Sequence, residues 1–441
     1  MMQIRRALRS ALQVSSMDCA ALSRATRRSL AEGDLERDLW QTYAARASEL
    51  LTGLKAADSV RLAAAFSTAR VQDFALFSRF SSRILECIQD GDSGDSQMAA
   101  VDMKRLATAF GRVRAFDSEL MEKLVPMIVH RVEEFRPRDL VRIADAYARM
   151  PVRNLDLFAL VADALPPYLY DLEPPELANL CRSFAEVAFY NLELVDALCA
   201  EVELRLRSFG ALDCLTFLDG LSRLHAGLPD DLKRNDNKTV SSAVLHLSRL
   251  LGTLSARDLV HTLSMLVRFD HYDPRVVHGR LCPALAQRLG QLQGHGAFTN
   301  LAELIHGLSL LPAQSHKSTE LAFAALAALR RGGVPRGWVE PQSVALAAAA
   351  LAQLGQSDEE LADILHTCVV GGRASDSKDL APEDADSRGS GRQGLLQMAS
   401  DDELLELQHA FSLCQGEARL QDACRAIKEE LDQRSAAAHQ S

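Results

Sequence analysis

Aromatic residues make up only 5% of the 441 residues, and Trp occurs twice. No apolar run reaches the roughly 18 residues that a membrane-spanning helix needs, and no Gly-x-Gly-x-x-Gly or Gly-Lys-Ser/Thr phosphate-binding loop is present. No run of alternating β-branched residues predicts a β-strand. These absences argue against a membrane protein, a nucleotide-dependent enzyme and a fold that contains sheets.

Paired cysteines and clustered histidines are also missing. None of the nine cysteines forms a C-x-x-C pair, and Cys181 and Cys214 occupy apolar positions, which predicts buried reduced thiols rather than a disulfide framework or a zinc site. The group most like an acid/base or metal cluster is His271 with its neighbouring aspartates, but this stretch is better interpreted as a polar turn between the two helices of the Asp258 unit. We therefore expect a protein that is not an enzyme and has no metal and no small-molecule cofactor.

What the sequence does contain is an internal repeat. An acidic residue followed by a fixed apolar pattern recurs in steps of 37 residues, at Asp102, Asp139, Glu176 and Asp213. With longer steps the pattern also occurs at Asp58, Asp258 and Asn300, and more weakly at Ser343 and Glu403. A fixed period of this size is typical of stacked supersecondary units.

Each unit has the pattern of two helices. In the Asp139 unit the apolar residues Leu140, Ile143, Ala144, Tyr147 and Met150 share one helical face. Pro151 and Asn154 interrupt the helix before a second apolar stretch. Ser255 with Asp258 and Ser400 with Glu403 have the spacing of capping boxes. The sequence therefore predicts an all-α fold, an α-solenoid of about nine helical-hairpin repeats of about 37 residues each.

The two ends of the chain differ from the repeats. Residues 1–30 contain six arginines and a single acid, Asp18, so residues 1–35 are typical of an organellar transit peptide; a basic first helix of the array is the alternative. We expect the protein to be located in the mitochondrial matrix, with the plastid as the alternative. The helical array is predicted over 54–370, a disordered insert over 371–394 and a C-terminal capping helical segment over 395–438. The net charge of −10 arises in the tail, because residues 1–350 carry equal numbers of acidic and basic residues.

The outer face of the first helices is rich in arginine. Since guanidinium groups suit phosphate oxygens, and Asn and Thr can contact base edges, these positions form a candidate RNA-binding stripe. The candidate residues are Arg61, Arg105, Arg112, Arg142, Arg149, Asn179, Arg182, Thr216, Arg223, His261 and Arg268. The alternative is an ordinary solvated face. The Glu176 unit weakens the stripe, because residues 151–200 contain two basic residues and eight acids.

The segment from Phe135 to Met150, followed by Asn154 to Phe158, resembles the heptatricopeptide repeat of the octotricopeptide-like class. It is also similar to the leucine-rich helical region of the Fas-activated serine/threonine kinase-like (FAST) mitochondrial proteins. The resemblance covers roughly residues 54–354. It implies organellar α-solenoid proteins that bind RNA and act in transcript processing, stability, translation or mitoribosome assembly. Many of them carry a C-terminal RAP domain, whereas residues 400–441 here are short and acidic, without a strand pattern.

We therefore expect a non-catalytic RNA-binding repeat protein of an organelle, with single-stranded RNA as its main partner. Mitoribosomal or other ribonucleoprotein components are further expected partners. The alternative function is a protein–protein scaffold subunit of an organellar ribonucleoprotein or respiratory complex, which the near-neutral residues 1–350 and the acidic tail would suit.

Overall fold

A computed structural model describes residues 14–89, 98–115, 117–150, 153–226, 237–294, 296–333, 339–355, 358–371, 394–414 and 417–438. Within these ranges every regular element is a helix, which confirms the all-α prediction. The chain divides into two compact units, residues 1–243 and 244–441. No helix in the described part of the chain is long and apolar enough to cross a membrane.

Antiparallel helix pairs build the first unit. Its helices are α1 (Cys19–Glu32), α2 (Arg37–Leu50), α3 (Ala56–Thr68), α4 (Phe74–Gln89), α5 (Ala100–Val113), α6 (Ser118–His130), α7 (Pro137–Ala148), α8 (Leu155–Ala164), α9 (Pro174–Glu186), α10 (Leu192–Arg205), α11 (Ala211–Ala226) and α12 (Asn237–Leu250), the last of which spans the division. The first helices of successive repeats, α1, α3, α5, α7, α9 and α11, pack side by side as one layer, and α2, α4, α6, α8 and α10 form a second layer.

The second unit follows the same scheme. Its helices are α13 (Ala256–Arg268), α14 (Pro274–Val276), a π-helix (Val277–Leu281), α15 (Cys282–Arg288), α16 (Ala297–Ser309), α17 (His316–Gly332), α18 (Pro341–Leu354), α19 (Glu359–Val370), α20 (Leu395–Met398), α21 (Asp401–Ser412) and α22 (Ala418–Ala438). Helices α13, α16, α18 and α21 pack in one layer. The weak repeat matches at Ser343 and Glu403 therefore lie in genuine first helices.

The predicted apolar faces form the core of each stack. Ile143 and Ala144 of α7 are fully buried, and Tyr147 is only 1% exposed. The Tyr147 hydroxyl donates a hydrogen bond of 2.9 Å to the Met121 carbonyl of α6, and burial raises its pKa. Burying each large aliphatic side chain of this kind stabilises the fold by roughly 1.5–3 kcal/mol. Cys181 is a buried free thiol, as predicted.

Polar side chains fix where the helices begin. Asn154 accepts a hydrogen bond of 3.0 Å from the Leu157 amide at the start of α8, and aspartate or asparagine caps four other second helices in the same way. Both predicted capping boxes, at Ser255 and at Ser400, are confirmed. A further box, formed by Glu173 and Glu176, was not predicted because glutamate is not a favoured cap residue.

A recurring arginine closes six of the hairpins. In each, an arginine near the end of the second helix donates a hydrogen bond to a backbone carbonyl at the start of the first helix. The accepting residue is the one that precedes the N-cap. These carbonyl-binding arginines are Arg46, Arg83, Arg131, Arg205, Arg288 and Arg434. The distance is 2.9 Å from Arg83 to the Leu54 oxygen and 2.8 Å from Arg205 to the Leu172 oxygen. Part of the arginine content therefore has a structural role that is distinct from the predicted stripe.

The N-terminal segment predicted as a transit peptide is only partly described. Residues 1–13 lie outside the described residues, as does 372–393, most of the predicted disordered insert. Residues 19–32 form α1, whose Leu22 is fully buried and which packs against α3. This stretch therefore has the position of a first helix of the array, and the targeting role stays a prediction.

Two glycines allow neighbouring first helices to approach closely. A Cβ atom at Gly111 of α5 would lie 2.8 Å from the Ala146 backbone of α7. A Cβ atom at Gly220 of α11 would lie 2.9 Å from the Arg182 backbone nitrogen of α9. Both positions are inside helices, where glycine is otherwise unfavourable, so the close approach accounts for its presence.

We expect the substitution Gly220→Ala to destabilise the first unit. Alanine favours a helix by roughly 0.5–1 kcal/mol, but the overlap with α9 costs roughly 1–3 kcal/mol. Gly53→Ala is the matched control, because no atom lies within 4 Å of a Cβ atom there. Urea unfolding followed by circular dichroism measures both. A Gly220→Ala protein as stable as the control would contradict the close approach.

Candidate nucleic-acid interface

A groove runs over the outer faces of α3, α5 and α7 in the first unit. It has a volume of about 600 Å³. Its floor is made by small residues, among them Ala109, Gly111 and Ala146, because these helices pack closely there. Its rim carries the polar side chains of Thr68, Lys104, Arg105, Thr108, Arg112, Arg142, Asp145 and Arg149. We call this feature the basic groove, since its lining includes five cationic side chains and one carboxylate.

Four of the predicted stripe residues meet in the basic groove. Arg142 is exposed and has no hydrogen bond or ion pair with any described residue. Arg112 is also exposed and donates a single hydrogen bond of 3.1 Å to the Thr68 hydroxyl of α3. Arg105 is half-exposed and pairs at 2.8 Å with Asp102, which is buried. Arg149 pairs with Asp145 one helical turn earlier, at 3.0 Å. The groove is therefore lined by guanidinium groups that differ in how strongly the protein holds them.

Three other predicted residues of the first unit, Asn179, Arg182 and Arg223, form hydrogen bonds or ion pairs within the protein. Arg182 of α9 pairs at 2.5 Å with Asp145 of α7 and also contacts the Asn179 side-chain oxygen at 3.3 Å. Arg223 of α11 donates two hydrogen bonds, of 2.8 and 3.1 Å, to Glu186 of α9. Both pairs join residues 37 positions apart, which is one repeat. These arginines therefore hold neighbouring repeats together and carry less uncompensated charge than the stripe prediction assumed.

The remaining predicted residues lie outside the basic groove. Arg61 pairs with Asp58 at 3.1 Å at the start of α3, and Thr216 lies half-buried on α11. His261 and Arg268 lie on α13 in the second unit, beside Glu303 of α16, whose pKa burial raises. The sequence prediction thus placed all eleven candidates on the layer of first helices, but only four of them come together in one groove.

One cationic residue of the groove was missed by the sequence prediction. Lys104 of α5 pairs at 2.8 Å with Asp139 of α7, and both side chains are largely buried. It precedes Arg105 and so does not share the outer helical face from which the candidate residues were chosen. The sequence signal that could have revealed this pair is the spacing of 35 residues between Lys104 and Asp139, the acid at the start of the first helix of the next repeat.

The described residues contain no group of His, Cys, Asp or Glu that could hold a metal ion. Near His271, Asp273 caps α14 by accepting a hydrogen bond of 2.8 Å from the Arg275 amide, which fits the polar turn considered earlier. Burial lowers the pKa of His271. The basic groove itself suits anionic ligands, because its lining includes five cationic side chains.

The Glu186–Arg223 pair predicts a pH-dependent contribution to stability. Its hydrogen bonds lower the pKa of Glu186 in the folded protein, so the stabilisation is fully present above the unfolded value of about 4.3 and is lost as the pH falls through the folded value. Because the pair is partly exposed, Glu186→Gln should cost up to about 1 kcal/mol at pH 7, and less below about pH 4.

Thermal unfolding at pH 7 and at about pH 3, well below the unfolded pKa of Glu186, tests this expectation. Glu122→Gln is the control, since Glu122 is exposed and has no ion pair with a described residue. An equal loss of stability at both pH values for Glu186→Gln would contradict a role for the ionised carboxylate.

Comparison with known families adds a separate finding. A family model described as RNA-editing substrate-binding complex 6 protein (RESC6) matches residues 3–279, which include all three helices that border the basic groove. No curated protein matches the chain. The match supports an RNA-associated helical protein, while membership of the heptatricopeptide or FAST families is not shown by it. The chain belongs to the RNA-editing substrate-binding complex 6 protein family.

Proposed function

We propose that this protein is a non-catalytic, RNA-binding component of an RNA-editing substrate-binding complex, and that its basic groove contacts the RNA. The observation that carries the proposal is the convergence of Arg105, Arg112, Arg142 and Arg149 on one groove of the first unit. The family's printed description, which names RNA editing and substrate binding, supports the same function. Among the processes expected from the sequence, transcript processing is therefore the one we favour, and the family's description specifies it as RNA editing.

The groove has the chemistry that an RNA backbone requires. Arginine presents a planar fork of donors that matches the oxygens of a phosphate group. Arg142 and Arg112 keep most of their donors unused by the protein, so they can bind phosphates without breaking strong internal contacts. Arg105 and Arg149 are held in place by their own carboxylate partners, so they add oriented N–H donors at the rim but little net charge.

We further propose that the protein acts in the mitochondrion, with the plastid as the alternative. The support is the arginine-rich start of the chain, including Arg5, Arg6 and Arg9. Since α1 begins at Cys19 and buries Leu22, removal of a targeting peptide is compatible with the stack only if cleavage occurs before α1.

A specific observation also favours a protein partner as a second function. Tyr170 is 65% exposed and Leu204 is 82% exposed, although both are large apolar residues. Arg205 donates a hydrogen bond of 3.2 Å to the Tyr170 carbonyl, so the two segments lie together. Exposed aromatic and aliphatic side chains are typical anchors of protein interfaces. This surface suits membership of a larger complex, and it is compatible with RNA binding at the groove.

Reversal of two groove charges tests the RNA-binding proposal. We expect the double substitution Arg112→Glu and Arg142→Glu to weaken RNA binding at least about tenfold, because two phosphate contacts are replaced by repulsion. These two arginines are chosen since neither is ion-paired with a described residue, so folding should be preserved. Fluorescence anisotropy with labelled RNA measures the affinity, and circular dichroism checks the fold.

The control is Arg79→Glu with Arg207→Glu, which changes the net charge equally at exposed positions outside the groove lining. If both double variants bind RNA as tightly as the unmodified protein, the groove is not the RNA site. If both weaken binding equally, the effect is one of net charge alone.

Localisation has its own test. Residues 1–17 fused to a fluorescent protein should direct it to mitochondria, and the substitutions Arg5→Gln, Arg6→Gln and Arg9→Gln should abolish this because targeting requires the positive charges. Fluorescence microscopy with an organelle marker distinguishes mitochondria, plastids and cytosol. A fusion that remains in the cytosol with or without the arginines contradicts the targeting proposal.

A further inference from the structure

We infer that the basic groove recognises the RNA backbone and is nearly indifferent to base identity. The inference rests on the proposed RNA-binding function and narrows it. The wall of the groove contains two threonines and one aspartate, which are residue types that read base edges in one-base-per-repeat proteins. Whether they can do so here depends on what these side chains already bind.

The first argument concerns stacking. Proteins that hold unpaired bases place aromatic rings against them. The residues that line the basic groove include no Phe, Tyr, Trp or His. The buried aromatic rings of this region, such as Phe110 of α5, contribute to the core instead. A base that entered the groove would therefore find no aromatic surface to stack on.

The second argument concerns the hydroxyl groups. Thr108 donates its hydroxyl proton to the Lys104 carbonyl at 2.7 Å. Thr68 donates to the Ala64 carbonyl at 2.8 Å and accepts from Arg112 at 3.1 Å. Each threonine has one hydroxyl proton, and in both residues that proton is bound within the same helix. Neither hydroxyl can donate to a base edge without losing its internal bond.

The third argument concerns the carboxylate. Arg149 donates to both oxygens of Asp145, at 3.1 and 3.2 Å. Arg182 of the next repeat donates to the same carboxylate at 2.5 Å. A base would have to displace two guanidinium groups to reach Asp145, and hydrogen bonds to charged groups are among the stronger ones in proteins. Asp145 is therefore a link between repeats and not a reader of bases.

The groups that remain available are the guanidinium groups of Arg142 and Arg112. Arginine can read guanine by a bidentate contact, but only when its plane is held in register with the base. Arg142 has no described partner that could orient it, and Arg112 has a single hydrogen bond. Guanidinium groups without a fixed orientation can bind phosphate groups, whose geometry is the same at every nucleotide.

Binding of the full-length protein to unstructured oligonucleotides tests the inference. The probes are labelled 12-nucleotide oligo(U), oligo(A) and oligo(C), and a mixed sequence that contains guanine. We expect their affinities to agree within about fivefold, which corresponds to about 1 kcal/mol. We also expect each affinity to fall with salt at a similar slope, because the same phosphate contacts are made with each sequence. A larger preference for one sequence overturns the inference while leaving the proposed function intact.

Two substitutions sharpen the test. Asp145→Asn should raise the affinity for every probe by a similar factor, because it removes the carboxylate that restrains two arginines; a loss confined to one sequence would identify Asp145 as a base reader and overturn the inference. Thr108→Val should leave the relative affinities unchanged, and a changed order among the probes would count against backbone recognition. If no probe binds even at low salt, the proposed function fails and this inference fails with it.

Discussion

The close packing of successive first helices is the constraint on which the rest of the structure depends. Gly111 and Gly220 remove the side chain where α5 meets α7 and where α9 meets α11. Across the α9–α11 contact this separation lets Glu186 and Arg223, one repeat apart, share hydrogen bonds, and Asp145 and Arg182 form the same kind of link between α7 and α9. The close approach of α5 and α7 brings Arg105 and Arg112 of one repeat and Arg142 of the next to one groove. Adhesion between repeats and the candidate RNA site therefore depend on the same close packing.

Arginine serves three purposes in this chain, and local sequence does not separate them. The carbonyl-binding arginines close hairpins, Arg182 and Arg223 join repeats, and Arg142 is left to the solvent. A count of arginines on an exposed face therefore overstates the charge available to a ligand. What distinguishes Arg142 is that Asp139, three residues earlier on the same helix, pairs with Lys104 of the preceding repeat instead. The charge left on Arg142 therefore depends on the neighbouring repeat as much as on its own helix.

Much of the fold could be predicted from the sequence, because helical periodicity is a local property. The apolar face of α7 and the capping boxes at Ser255 and Ser400 follow from residues only a few positions apart. The candidate site could be predicted only in part. A helical wheel gives the direction of Arg182, but it does not show that Asp145, 37 residues earlier, receives its guanidinium group. The pairing of Lys104 with Asp139 was missed for the same reason.

The carbonyl-binding arginines have a consequence for how such repeats diverge. Their acceptors belong to Met17, Leu54, Met98, Leu172, Leu254 and Ala399, and in every case the acceptor atom is the main-chain oxygen. Any amino acid supplies that oxygen, so the hydrogen bond itself makes no demand on the accepting side chain. Burial constrains that side chain instead, since Leu54, Leu172 and Leu254 are at most 5% exposed and belong to the core. A hairpin closed in this manner requires a particular hydrogen-bonding side chain only from the donor, so repeats can differ widely in sequence and keep the same closure.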